Sequence, residues 1–256
     1  MTTFRTLATF LCAASLAACE KNAVQDITGT LPAARIKFFN FGVNAPAVNF
    51  YANDAKITAI NSATGVEATT GVGSGGVGSG GFYSAIDPAQ YTVRARIAAT
   101  VDKDLAITTV PVTLADGKAY SFYVSGIYDA TAKTAEGFVV ADGFVDTLDF
   151  TVAYVRFVNA SSNAAPMTLY ARNTTTATEV PIGASIAYKA GGAFVAVPNG
   201  VYDLNTRYDG SATNVISRAA VSFVAGRVYT IGARGDITVT STTATTRPQL
   251  DNTLNR

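Results

Sequence analysis

The chain contains no histidine and no tryptophan, and only two cysteines in 256 residues. Without an imidazole, Ser-His-Asp and Cys-His nucleophilic mechanisms and His-based zinc sites are excluded together. Charge of either sign is also scarce: 19 Lys and Arg stand against 18 Asp and Glu, a formal net charge of +1. A nucleic-acid binder needs a basic surplus to neutralise phosphates, so no nucleic-acid partner is expected. Beyond residue 19 there is no apolar run long enough for a spanning helix and no amphipathic helical stripe of useful length.

What is present begins at the N-terminus. Residues 1–18 carry one cation, Arg5, then the apolar stretch 7–16 interrupted only by Thr9 and Ser15, then small residues ahead of Cys19. This is the order of a secretory signal peptide. The run is too short to cross a hydrocarbon core of roughly 30 Å, which takes about 20 apolar residues as a helix, so it is expected to be cleaved. Leu16-Ala17-Ala18-Cys19 resembles the lipobox of bacterial lipoproteins. That resemblance implies lipidation of Cys19, cleavage before it, and a lipidated tether over residues 19–32. Several lipid chains, at about 0.8 kcal/mol per buried methylene, hold a protein on a membrane without any helix of its own. Glu20 follows the cysteine, where the best known inner-membrane retention signal in such families is Asp, and this points to the outer membrane. Cys12 leaves with the signal and Cys19 is acylated, so the mature domains hold no disulfide and no thiolate metal site. Removal of Arg5 leaves cations and anions equal in number.

The rest of the chain resembles itself. Arg35-Ile36-Lys37-Phe38-Phe39-Asn40, then Pro46 and Phe50-Tyr51-Ala52, is echoed by Tyr154-Val155-Arg156-Phe157-Val158-Asn159, Pro166 and Leu169-Tyr170-Ala171. Pro88 and Tyr91 answer Pro198 and Tyr202, and Asp116-Gly117-Lys118-Ala119-Tyr120 answers Ala225-Gly226-Arg227-Val228-Tyr229. The offset falls from 119 at Tyr51 to 110 at Pro88, which places an insertion in the first copy. The glycine-rich run 71–81 coincides with it and reads as a flexible loop, since glycine costs too much entropy for a strand interior. A phosphate-binding loop would need a Gly-Lys-Ser/Thr ending and a following helix, and has neither.

Each copy reads as β. Tyr91, Val93, Ala95 and Ile97 alternate with Thr92, Arg94 and Arg96, a period of two, and turn signals separate several such runs. The expectation is an all-β chain of two tandem immunoglobulin-like antiparallel β-sandwich domains, over 33–150 and 151–240, followed by a disordered tail over 241–256. Tyr120 and Tyr229 each follow a glycine by three residues at a strand start, resembling the tyrosine corner of Greek-key sandwiches. Asn40 and Asn159 share a face with Ile36 and Phe38, and with Val155 and Phe157. An asparagine on an apolar face must find partners or cost about 1–3 kcal/mol, so each is expected to tie down the following Pro-containing loop, with ligand contact as the alternative.

The hydrophobic-basic strand, the Asn, the Ala-Pro and the strand ending in Tyr, with Pro198 to Tyr202 and Ala225 to Tyr229, resemble the domain-of-unknown-function family numbered 4397 over residues 33–240. The family often has His where Asn40 and Asn159 stand, and the first copy lacks the glycine before Tyr91, so no shared site is implied. The resemblance implies an exported bacterial protein and no particular reaction.

Asp142, Asp146 and Asp149 cross the junction between the copies and are candidates for a calcium clip, or for aspartates capping their own turns. No cofactor is expected. Three functions stay open: a non-catalytic structural or spacer protein of the envelope, an adhesion module whose loops bind an envelope protein or glycan, and a carboxylate-based envelope hydrolase. Cells fed labelled palmitate should incorporate it into the wild type and not into Cys19→Ala; equal incorporation would remove Cys19 as the anchor.

Overall fold

The computed structural model describes residues 34–58 and 70–256. Cys19, the lipobox Leu16 to Ala18, the signal and the tether lie outside the described residues. The regular structure of the described residues is β, with no α-helix: β1 (Ala34–Asn40), β2 (Val48–Ala52), β3 (Ala55–Lys56), β4 (Gly76–Val77), β5 (Ser84–Ile86), β6 (Ala89–Ile97), β7 (Ala106–Leu114), β8 (Ala119–Asp129) and β9 (Thr134–Ala141) form a first sandwich. A second contains β10 (Val152–Asn159), β11 (Met167–Asn173), β12 (Glu179–Pro181), β13 (Ala190–Gly191), β14 (Val195–Pro198), β15 (Gly200–Tyr208), β16 (Ile216–Phe223), β17 (Val228–Arg234) and β18 (Gln249–Leu254).

The two sandwiches have the same strand order. In the first, a sheet β4-β1-β8-β9, with β5 also on β1, faces a sheet β3-β2-β6-β7. In the second, β13-β10-β17-β18, with β14 also on β10, faces β12-β11-β15-β16. Pairing is antiparallel except at the centre of the first sheet of each, where β1 runs parallel to β8 and β10 parallel to β17. Parallel strands are characteristically buried on both faces. That holds here, since Ile36 and Lys37, neighbours on opposite faces of β1, are both fully buried, as are Val155 and Arg156 of β10.

One face of each parallel pair builds the sandwich core. Ile36, Phe38 and Phe122 meet Phe50, Val93 and Ile97 in the first, and Val155, Phe157 and Ile231 meet Leu169, Leu204 and Phe223 in the second. Phe38 stacks on Phe50 with centroids 5.0 Å apart, and Phe122 meets Phe50 edge-on at 5.8 Å.

Two expectations are corrected. The tail is not disordered: Gln249–Leu254 pair antiparallel with Tyr229–Arg234, and buried Leu250 enters the second core. The strand completes for the second sandwich what β9 completes for the first. The glycine run is not a free loop either. Gly76 and Val77 pair with β1, Val72 pairs with Val48, and Gly75 donates its N–H to Asn40 O at 2.6 Å.

Register also moves the insertion. Tyr51 and Tyr170 are 119 apart, but Ile57 and Ile182, which donate to Phe50 O and Leu169 O, are 125 apart. Val72 and Ile186, the partners of Val48 and Met167, are 114 apart. The longer β2–β3 turn region therefore belongs to the second sandwich, and the main insertion of the first lies between Ile57 and Val72, where residues 59–69 lie outside the described residues. The glycine run itself is longer only at its 3-10 turn, Gly78–Gly81, since Ser84 and Val195 are 111 apart by their partners Ile36 and Val155.

Replacing a buried leucine by alanine typically costs about 2–5 kcal/mol. Urea unfolding of Leu250→Ala should show a loss in that range, whereas a mobile tail would give none.

Candidate functional site

The residues singled out as structural sit on backbone contacts. Asn40 Nδ2 donates to Pro46 O at 3.0 Å and to Val72 O at 2.9 Å, joining β1 to the proline loop and to the start of the glycine run. Asn159 Nδ2 donates to Ile186 O at 3.2 Å, the counterpart of Val72, while its Oδ1 accepts from Ser161 N at 3.1 Å. Tyr120 Oη accepts from Ala115 N at 3.0 Å and Tyr229 Oη from Val224 N at 3.2 Å, each five residues upstream. Sequence reasoning missed a second pair of such ties: Tyr91 and Tyr202 donate to Asp87 O and Pro198 O at 3.0 and 2.8 Å.

The calcium reading of the junction is corrected. Asp142 is buried whereas Asp146 and Asp149 are exposed, and among the described residues no three acidic, His or Cys side chains group to hold a metal. Asp149 accepts from Thr151 N and Thr151 Oγ1 at 2.8 and 2.7 Å, and these bonds hold its carboxyl below the usual range. It is an aspartate capping its own turn.

Asp142 instead belongs to the contact between the two inner sheets. Phe39, Phe41, Tyr123 and Phe138 of the first sandwich form one buried cluster with Val158 and Ala160 of the second. Phe39 stacks on Tyr123 at 4.5 Å and Tyr123 on Phe138 at 5.0 Å. Gly232 of β17 lies under the Phe41 ring, where a Cβ would come within 2.8 Å of it.

Beside this cluster lie two buried cations at matching positions of the parallel strands. Arg156 of β10 reaches into the first sandwich, donating to Ala141 O at 3.2 Å and pairing with the Asp142 carboxylate just after β9. Its Nε donates to Thr230 Oγ1 at 2.9 Å and its guanidinium lies 4.9 Å over the Phe194 ring. Lys37 of β1 reaches the other way, donating to Leu254 O at 3.0 Å and to Asn255 Oδ1 at 3.1 Å at the end of β18, with its Nζ 4.4 Å over the Tyr83 ring. By β-register Ala141 corresponds to Leu254 and Asp142 to Asn255. The interface therefore repeats under an approximate two-fold exchange of the halves, with a difference in charge: Arg156 meets a carboxylate and Lys37 an amide.

That difference shows in the electrostatics. Asp142 Oδ2 also accepts from Tyr83 Oη at 2.6 Å and Ser121 Oγ at 2.8 Å, so both carboxylate oxygens have partners. Burial, offset in part by Asp142 and reinforced by Arg156, pulls Lys37 down to about 8. Burial and then the Asp142 charge push the Tyr83 phenol up.

Sequence reasoning missed Lys37, Arg156 and Tyr83, since alternation puts the first two on the face opposite Ile36 and Phe38 or Val155 and Phe157, where a charged side chain ordinarily meets water. The available signal was Phe39 and Val158 on that same face, an apolar-plus-cationic pattern that a solvated surface has no reason to carry.

A groove of about 440 Å³ opens at the edge of this contact, between the 3-10 turn and β18. Phe82 is 76% exposed at its rim and Leu254 46%, with Arg227 and Arg256 close by. Removing one partner of a buried pair leaves an uncompensated charge and costs about 3–5 kcal/mol, whereas an exposed pair contributes at most about 1 kcal/mol. Asp142→Ala should therefore lose several-fold more stability in urea than Asp54→Ala, which breaks the exposed contact with Arg96; equal losses would mean the interface pair is solvated.

Residues 153–254 match the model of a domain of unknown function, DUF4397. No curated protein matches the sequence. Among solved structures, a Bacteroides ovatus protein provisionally named a cell adhesion protein aligns over 89% of this chain and 97% of its own, at 10% identity and a TM-score of 0.22.

Proposed function

We propose that the chain is a non-catalytic envelope lipoprotein, held on the outer membrane through Cys19, in which two copies of the same domain form a rigid spacer. The observation that carries this reading is the contact between the inner sheets. Flexibly strung domains share small, polar interfaces. Here aromatic side chains of the first half pack on Val158 and Ala160 of the second, and each half buries a cation against the other's last strand. Such a contact fixes distance and orientation, which is what a spacer or scaffold supplies. The matching strand order and the motifs repeated around Lys37 and Arg156 support two copies, although the family match covers the second half.

A second reading, docking of an envelope protein or glycan, is favoured by one observation: Phe82, directly after the glycine turn, stands exposed beside a groove. Exposed aromatic side chains beside concave surfaces are the usual anchors of recognition. Affinity capture from envelope extract with intact protein and with Phe82→Ser separates the two. The spacer reading expects the same co-purifying set from both; partners lost with Phe82→Ser would replace it by the docking reading.

A further inference from the structure

Lys37 Nζ lies 3.1 Å from Asn255 Oδ1, in a pocket formed by the Tyr83 ring and the Leu254 carbonyl. We propose that the two side chains become joined by an isopeptide bond that the folded protein makes by itself, linking β1 to the residue that follows β18. Nothing in the spacer reading requires this, and either can fail without the other.

Three observations carry it. The first is proximity within a fixed frame. Asn255 Nδ2 is held by Thr230 Oγ1 at 2.6 Å, so the carboxamide cannot turn freely, and Lys37 is fully buried with its Nζ directed at that carboxamide. Well-oriented intramolecular reactants reach effective molarities of about 10⁵ M or more, and Lys37 Nζ is hydrogen-bonded to the carboxamide whose carbon it would attack. The second is the mismatch across the approximate two-fold: two buried cations share one buried carboxylate, Asp142, and Arg156 holds it. An amide beside a buried ammonium cannot neutralise it, and burial of an unpaired charge is costly. Conversion of ammonium and carboxamide into a neutral amide removes that charge from the interface. The third is the setting for proton movement. Tyr83 Oη donates to Asp142 Oδ2 and stands 3.5 Å from Asn255 Oδ1, bridging a carboxylate to the carbonyl that would be attacked. Burial lowers the Lys37 pKa to about 8, so a useful fraction is the neutral amine near neutral pH.

The step balances without a co-reactant. The ammonium loses a proton to the Asp142 carboxylate or to water, and the Nζ lone pair forms a bond to Asn255 Cγ as the carbonyl electrons move onto Oδ1. The intermediate collapses by breaking the Cγ–Nδ2 bond. A second proton passes from Nζ to Nδ2, which departs as ammonia into the adjoining groove and takes up the first proton as ammonium. No atom changes oxidation state.

The test is the denaturing mass of the full-length purified protein, followed by a tryptic map, after incubation at a pH above 8. The wild type should be lighter by one ammonia than the same processed form left unlinked, should resist trypsin after Lys37, and should yield a branched peptide containing Lys37 and Asn255. Lys37→Arg keeps the cation but cannot condense, and should show the full mass, as should Asn255→Ala. A wild type of full mass with normal cleavage after Lys37 overturns the proposal. So does an ammonia loss that persists in Lys37→Arg, which would mark a cyclised asparagine instead.

Discussion

The burial of a cation on the second face of each inner sheet is the constraint from which the rest of the architecture follows. A sandwich needs only one face of each sheet to be apolar, and the other ordinarily meets water. Here the parallel pairs β1–β8 and β10–β17 are buried on both sides, so Lys37 and Arg156 must find acceptors inside protein. The acceptors are the terminal carbonyls of the opposite half, Leu254 O and Ala141 O. Each sandwich therefore needs the last strand of the other, and neither β9 nor β18 is an optional appendage.

The same cations deal with a hazard of sheet proteins. An edge strand offers unpaired backbone groups to any passing chain, and charged side chains on the edge are a usual remedy. β9 and β18 are the last strands of their sheets. On β18, Arg218 Nη1 covers Leu250 O at 2.7 Å and Lys37 covers Leu254 O; on β9, Arg156 covers Ala141 O and Thr108 Oγ1 covers Ala135 O at 3.0 Å. Four of the carbonyls that could template an added strand are thus occupied, two of them from the other sandwich. Domain docking and edge protection are thus one arrangement.

How much of this could be read beforehand depended on whether a residue's partner was local. Ile36, Phe38 and Asn40 announce a core face by alternation, and Tyr120 and Tyr229 announce a turn because their partners lie five residues away. Lys37 was misleading because its partners are more than two hundred positions distant, and a lysine out of phase with apolar neighbours is ordinarily solvated. β18 was invisible for a related reason. An edge strand facing one core needs few apolar residues, and Gln249-Leu250-Asp251-Asn252-Thr253-Leu254 supplies just two behind a Thr-rich approach. The misplaced insertion came from opposite length changes. A longer turn in the second half masked part of a longer connection in the first, and only hydrogen-bond register separates the two.

The glycine run shows how the interface redistributes roles that composition alone would assign. Gly75 has φ +81°, and a Cβ there would come within 2.8 Å of the Arg234 guanidinium, which is itself paired with Asp251 of β18. Glycine at that position lets the second sandwich lay a charged side chain flat on the backbone of the first, so flexibility in the unfolded chain becomes close approach in the folded one. Ser74 Oγ donates to Gly42 O at 2.6 Å and closes the run from the other side. What composition reads as a free, adaptable loop is thus partly consumed in joining the halves, and at its far end exposed Phe82 meets the surroundings beside Ser79 and Gly80. Any recognition by this region would then rest on a single aromatic side chain held by a rigid turn, a preorganised contact rather than an adaptable one.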